Sequence, residues 1–197
     1  MKSSELPKNY KYDPGFDIKE RIKSINFDDG FVVNDVVNDI ILWKNARRAK
    51  LNTNVKSKLL QIKSIQSIYD VLGKNKQQVK EILTLLMKTK GVKLPMATTI
   101  LHFFNENCFP IIDQRAYFIA TNMDPQSKQL VTDTELPSKC NWDIDYGIET
   151  YFKYLEKCIE FSDCWNYTIS VIDKHLYQTM KDYYPDRKLK DYRKMRK

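Results

Sequence analysis

Asp113 is the residue whose setting most suggests chemistry. It closes the run Phe109-Pro110-Ile111-Ile112-Asp113 and opens an apolar helical stretch, Ala116-Tyr117-Phe118-Ile119-Ala120. A carboxylate in such a place can stabilise a developing positive charge or activate a water. It can equally do no more than cap the helix that follows. Upstream lies a second element, Gly91-Val92-Lys93-Leu94-Pro95. Gly91 supplies the positive φ that ends one helix cheaply, and Pro95 fits the first turn of the next, where its missing N–H costs nothing. Two helices thus meet at a short turn, with free backbone amides at the start of the second. Those amides and the helix dipole make an anion site, and Lys93 adds a point charge suited to a phosphate.

The elements that must position these groups are helical. The chain has only 5 Gly and 7 Pro in 197 residues, and its apolar residues recur at helical rather than alternating spacing, as Val79, Ile82, Leu83 and Leu86 do. The periodicity predicts an all-α fold with helices near 32–48, 55–61, 64–72, 76–89, 95–105, 113–122, 147–161 and 166–183. Residues 1–30 read as an irregular arm pinned by Tyr10, Tyr12 and Phe16. Residues 31–183 form a single helical domain, long enough for one core or for two helical lobes facing each other across a cleft. Residues 184–197 are a basic tail, and 123–146, with Pro125 and Pro137, reads as a long loop or insertion.

Taken together, the 91–95 turn, the apolar helix after it and the Asp113 segment resemble the helix-hairpin-helix superfamily of DNA base-excision glycosylases. In that family a hairpin of the Leu-Pro-Gly-Val-Gly type precedes an apolar helix, and the catalytic Asp follows a Val-Pro or Phe-Pro pair. The match is loose at the hairpin and good over residues 109–116, and its strong part covers about 82–120. Weaker likenesses to an 8-oxoguanine-glycosylase-like bacterial branch lie outside it. They are the Trp-Lys-x-x-Arg pattern at Trp43-Lys44-Asn45-Ala46-Arg47, a Tyr/Phe-rich helix ending at Cys158, and a closing helix over 169–180.

The resemblance implies an enzyme that bends double-stranded DNA, extrudes a damaged or modified nucleotide and hydrolyses its N-glycosidic bond. Asp113 is then the catalytic carboxylate. Gly91, Val92, Lys93, Leu94, Pro95 and Thr98 of the hairpin, with Lys44, Arg47 and Arg115, are the DNA-binding candidates, and Trp43 is the base-pocket candidate. Strand-cutting members carry a Lys early in the second hairpin helix, where this sequence has Pro95 and Met96; the expectation is therefore base release without a lyase step. The four Cys at 108, 140, 158 and 164 lack the spacing of an iron–sulfur cluster or zinc site. With His102 and His175 the only histidines, no multi-His metal site is expected. A monovalent cation at the hairpin carbonyls is the one ion the analogy allows.

Each of these residues also has a plainer reading. Trp43 suits the core as well as a cleft, Lys44 can reach solvent along its stem, Arg115 can pair within the protein, and His102 reads as a packed, hydrogen-bonded histidine. The formal charge is +8, with 26 Lys to 7 Arg. Residues 181–197 supply +5 of it from eight Lys/Arg and three Asp, either as a solvated extension or as a phosphate-binding arm. A polar N-terminus, scattered Cys and no long apolar run predict a cytoplasmic monomer away from membranes. Two rivals to the enzyme remain at this level: a non-catalytic helix-hairpin-helix DNA-binding module, and a helical protein-interaction domain.

Overall fold

Helical spacing in the sequence becomes helix along most of the chain. The structure, a computed structural model, describes residues 2–10, 15–25, 30–45, 53–131 and 143–184. Its elements are α1 (Phe16–Ser24), α2 (Gly30–Asn45), α3 (Thr53–Lys63), α4 (Ile68–Leu72), α5 (Lys76–Lys88), α6 (Leu94–Phe104), α7 (Gln114–Asn122), α8 (Ile144–Trp165) and α9 (Ile169–Tyr183). Among the described residues β-pairing is confined to two isolated bridges, Ser3 with Tyr167 and Met123 with Leu130. The fold is all-α, and no described helix is long and apolar enough to cross a membrane.

One continuous cluster of buried side chains draws on every helix from α1 to α9. The helix at its centre is α6, in which every residue except Pro95 is buried. A helix apolar on all faces can only be stable with neighbours on all faces. Its polar members Thr98, Thr99 and His102 must therefore find partners inside the protein, and those partners define the site described below.

The first thirty residues are less irregular than the sequence suggests, because α1 lies among them. Its N-cap is Gly15 at φ 68°, where a Cβ would come within 2.6 Å of the Phe103 ring. Both the left-handed backbone and the close approach require glycine there. Phe16 is exposed and pins nothing, whereas Tyr10 packs edge-on to Tyr177 with ring centroids 6.3 Å apart. Residues 2–10 are fastened to the α8–α9 corner. Ser3 N–H donates to Asn166 O and Thr168 N–H to Ser3 O, both at 2.8 Å, and His175 Nε2 bonds Glu5 O at 2.8 Å. Tyr12, Arg47 and residues 132–142 and 185–197 lie outside the described residues. The start of the 123–146 loop is a turn in which Asp124 accepts the amides of Gln126 and Ser127. Trp165 Nε1–H and Tyr183 O–H hold it by donating to the carbonyls of Pro125 and Lys128.

Candidate active site

After a turn in which the Cys108 and Phe109 amides donate to Asn105 O, residues 109–113 belong to no helix or strand, and such a segment inside a protein must have its backbone groups satisfied from elsewhere. Here side chains do it. His102 Nδ1 bonds Phe109 O at 2.9 Å, and Tyr151 O–H donates to Pro110 O at 3.0 Å. Ile111 N–H donates to Asp173 Oδ2 at 3.1 Å, and Ile111 O accepts Tyr154 O–H at 3.1 Å. Ile112 N–H reaches Thr98 Oγ1 at 3.4 Å. Residues from α6, α8 and α9 thus brace a strut that ends at Asp113.

Asp113 caps α7, as its position before an apolar helix predicts. The amides of Arg115 and Ala116 both donate to Oδ1 at 2.8 Å. Both bonds fall on one oxygen, and the residue lines a cavity of about 480 Å³. That volume is in the range of small-molecule sites, roughly 300–1,000 Å³. Tyr10, Trp43 and Tyr177 are its aromatic wall, and Lys44, Asp113, Asp173 and Lys174 bring its charges.

Helical phase explains how α2 reaches this cavity. Val33, Val36, Val37, Ile40 and Ile41 face the core, and Trp43 and Lys44 continue the same face past its end. Trp43 is both things the sequence allowed. It packs edge-on to Phe103, with centroids 5.2 Å apart, and its remaining surface lines the cavity. Lys44 Nζ donates to Thr99 Oγ1 at 2.6 Å, and the Thr99 hydroxyl donates in turn to Pro95 O at 2.6 Å. Lys44 is thereby coupled to the first turn of the hairpin helix.

Burial governs the charges here. It lowers the Lys44 pKa, with Asp113 and then Asp173 pulling the other way. It raises the Asp113 carboxyl, opposed by the Ala116 amide, Lys44 and the Arg115 amide and charge. Lys44 and Asp113 are half-buried by surface area, yet each is the other's electrostatic partner. Deeper in, Lys174 Nζ bonds Ser170 O at 2.7 Å, and His102 Nε2 and Asp173 Oδ1 at 3.4 Å. Burial, and then the Lys174 charge, hold the His102 pKa well below 6.5. The ring is neutral, with Nδ1–H toward Phe109 O and the Nε2 lone pair toward the ammonium.

The hairpin forms as its residues dictate. Gly91 sits at φ 89°, and a Cβ there would meet nothing within 4 Å. Lys93 is the N-cap of α6, and Pro95 lies in its first turn. The amides of Met96 and Ala97 both donate to Lys93 O. Within the turn the Val92 amide donates to Thr89 O, and the Lys93 side chain is exposed.

The predicted residues divide in three ways. Trp43, Lys44 and Asp113 meet in one cavity. Gly91, Lys93 and Pro95 form an outward turn that does not line it. Thr98, Val92 and Leu94 are buried, their side chains within the core. The Thr98 hydroxyl serves Pro95 O and Ile112 N–H, and Val92 and Leu94 anchor the turn by packing. Arg115 is turned inward, donating to Tyr177 O–H oxygen at 2.9 Å and lying over that ring. Asp173, Lys174 and Tyr177 were missed, although Asp173 carried a signal. It stands at a core position of the α9 stripe Ile169, Ile172, Leu176, Tyr177, Met180, where a carboxylate needs a buried partner. Among the described residues no group of three or more His, Cys, Asp or Glu could hold a metal.

Compared with known proteins, the chain matches no family model, no curated protein and no solved structure.

Proposed function

We propose that the protein is a DNA N-glycosylase of helix-hairpin-helix type, with the cavity as the cleft between two helical lobes. The observation that carries this reading is Asp113. One oxygen is fixed by two amides, the residue lines an aromatic-walled cavity together with Lys44, and the whole sits on a braced strut. A nucleotide extruded from duplex DNA would stack its base against Trp43 and the tyrosines. The ionised Asp113 carboxylate would stabilise positive charge on the sugar as the N-glycosidic bond breaks and orient the attacking water. The Gly91–Lys93 turn would grip a neighbouring phosphate. A monovalent cation there would have the carbonyls of residues 90–92, those of Thr89 and Lys93 being taken; it would supply charge toward the phosphate. The protein is read as a cytoplasmic monomer acting on double-stranded DNA.

The test is a screen against duplexes carrying 8-oxoguanine, alkylated purines, uracil and hypermodified bases, developed with alkali to reveal abasic sites. Asp113→Asn is the matched variant. Asn caps a helix about as well as Asp, so fold and DNA binding should survive while base release falls by roughly 10²–10³-fold. Because burial raises the Asp113 pKa, release should also decline on acidification through that raised value. Turnover by Asp113→Asn at the parental rate would show that the carboxylate is a cap alone. Duplex binding without base release from any substrate would leave a non-catalytic DNA-binding module.

A further inference from the structure

We propose that residues 2–10 are a strap over the cavity, docked at the α8–α9 corner and able to leave it while the helices stay folded, with Tyr10 the part that closes on a ligand. The walls of the cavity are held in unlike ways. Trp43 and Lys44 come from α2, and Asp173, Lys174 and Tyr177 from α9. Ile111 and Asp113 belong to the segment that three helices brace. Tyr10 alone of the lining residues comes from a segment with no helix and no buried residue.

The strap's attachments are few and polar. Ser3 N–H donates to Asn166 O, and Ser3 O accepts Thr168 N–H. Lys2 Nζ donates to Ser162 Oγ at 3.0 Å and pairs with Asp163, both charged residues being exposed. Water screens such a pair. Leu6 is exposed, so no aliphatic side chain nails the strap to the core. The corner stands without it: Ser162 Oγ–H donates to Tyr167 O at 2.6 Å, and His175 lies flat on Tyr167 with ring centroids 3.6 Å apart. Asn166 is exposed and Thr168 half-buried, so water can take the places that Ser3 leaves. A segment with few buried apolar contacts and solvent-accessible hydrogen bonds opens locally, below the free energy of global unfolding.

Docked, the strap stands Tyr10 edge-on to Tyr177, and the two rings close one side of the chamber. Released, that side opens to an entering group, and redocking sets the Tyr10 ring against it. The chain is anchored again at Gly15, packed against the Phe103 ring, so a released strap stays beside the cavity. The device serves whatever ligand the cavity takes; under the glycosylase reading that ligand is the extruded nucleotide.

The test locks and frees the strap in one protein. Ser3→Cys with Tyr167→Cys joins the two sides of the bridge, in the full chain with Cys140→Ser and Cys164→Ser to limit other pairings. Trinitrobenzenesulfonate, a bulky aromatic amine reagent, probes the cavity, and peptide mass spectrometry reads the labelling of Lys44 against that of the exposed Lys153. Oxidation should cut relative labelling of Lys44 several-fold, and reduction should restore it. Equal labelling in the two states overturns the strap as a way into the cavity. Tyr10→Ala in the oxidised protein should return the labelling with every anchor in place, and no gain there overturns the role of Tyr10. Hydrogen exchange on the unaltered chain needs no disulfide. The Thr168 amide should exchange at a rate that low urea leaves unchanged, whereas the α6 amides should follow the urea-dependent global unfolding. Thr168 protection equal to that of α6 would mean that the strap leaves only when the whole molecule unfolds, which overturns the proposal. Neither readout uses nucleic acid, so the strap and the glycosylase reading fail separately.

Discussion

The turn before α6 and the segment after it are held in opposite ways. The 91–94 turn depends on neighbours in sequence: a glycine at φ 89°, a lysine at the N-cap and a proline within the first turn. The 109–113 segment depends on residues 41 to 62 positions away in Tyr151, Tyr154 and Asp173. A locally coded turn can sit on the surface and yield to the shape of a partner. A segment fixed from three helices holds its terminal carboxylate in one place, the preorganisation that the proposed role of Asp113 needs.

The contrast is broken most severely at Asp173. Asp173→Ala strips Ile111 N–H of its acceptor and leaves the buried Lys174 ammonium without its carboxylate, 3.4 Å away. Loss of one member of a buried pair costs about 3–5 kcal/mol, read as a fall in the urea midpoint. A loss below that of an ordinary surface change would mean that the strut is not braced through α9.

Acidification probes the same bracing. The folded protein holds His102 neutral, with its pKa well below 6.5, so the unfolded chain binds the proton first as pH falls. The stability this provides is complete above the ordinary histidine pKa. It is lost toward the depressed folded value, at up to about 1.4 kcal/mol per pH unit. His175 is also lowered by burial and adds to the slope. Asp113, whose pKa is raised, acts in the opposite sense within the carboxylate range. His102→Gln should flatten the dependence of the urea midpoint on pH just below 6.5, and an unchanged slope would remove His102 as its source.

At the hairpin the effects are smaller and local. Gly91→Val places a β-branched residue at positive φ, costing about 1–3 kcal/mol, and should weaken duplex binding at every sequence without changing the catalytic rate of bound substrate. Lys93→Ala should alter stability by less than about 0.5 kcal/mol. In binding it should lower the slope of log affinity against log salt by about one unit. An unchanged slope would leave the hairpin as an ordinary helical turn.

What the sequence disclosed follows the same division. Helices with continuous apolar periodicity were legible to within a few residues, as in 76–89 for Lys76–Lys88 and 95–105 for Leu94–Phe104. The turn and Asp113 were legible because their residue types announce local dihedrals and caps. Helix α1 was not, since it is short, begins at a left-handed glycine and buries only Ile22. The site's remaining residues were hidden because nothing local says that Tyr177 lies beside Tyr10 or that Lys44 meets Thr99. Asp173 alone broke an apolar stripe visibly enough to be found. The enclosure of α6 on all sides was not legible, because a short apolar helix does not say how many neighbours surround it.

The arm over residues 2–10 has a consequence for the order in which the molecule can be made. Glu5 and His175, joined by a hydrogen bond, are 170 residues apart, and Tyr10 meets its aromatic partner only on α9. At about 5–20 residues per second on the ribosome, residues 2–10 wait roughly ten to thirty seconds for the surface they dock on. Until then Asp113 has no Asp173 behind it and the cavity lacks a wall. A nascent chain stalled before α9 would carry the residues of the hairpin turn while the cavity around Asp113 is still unbuilt.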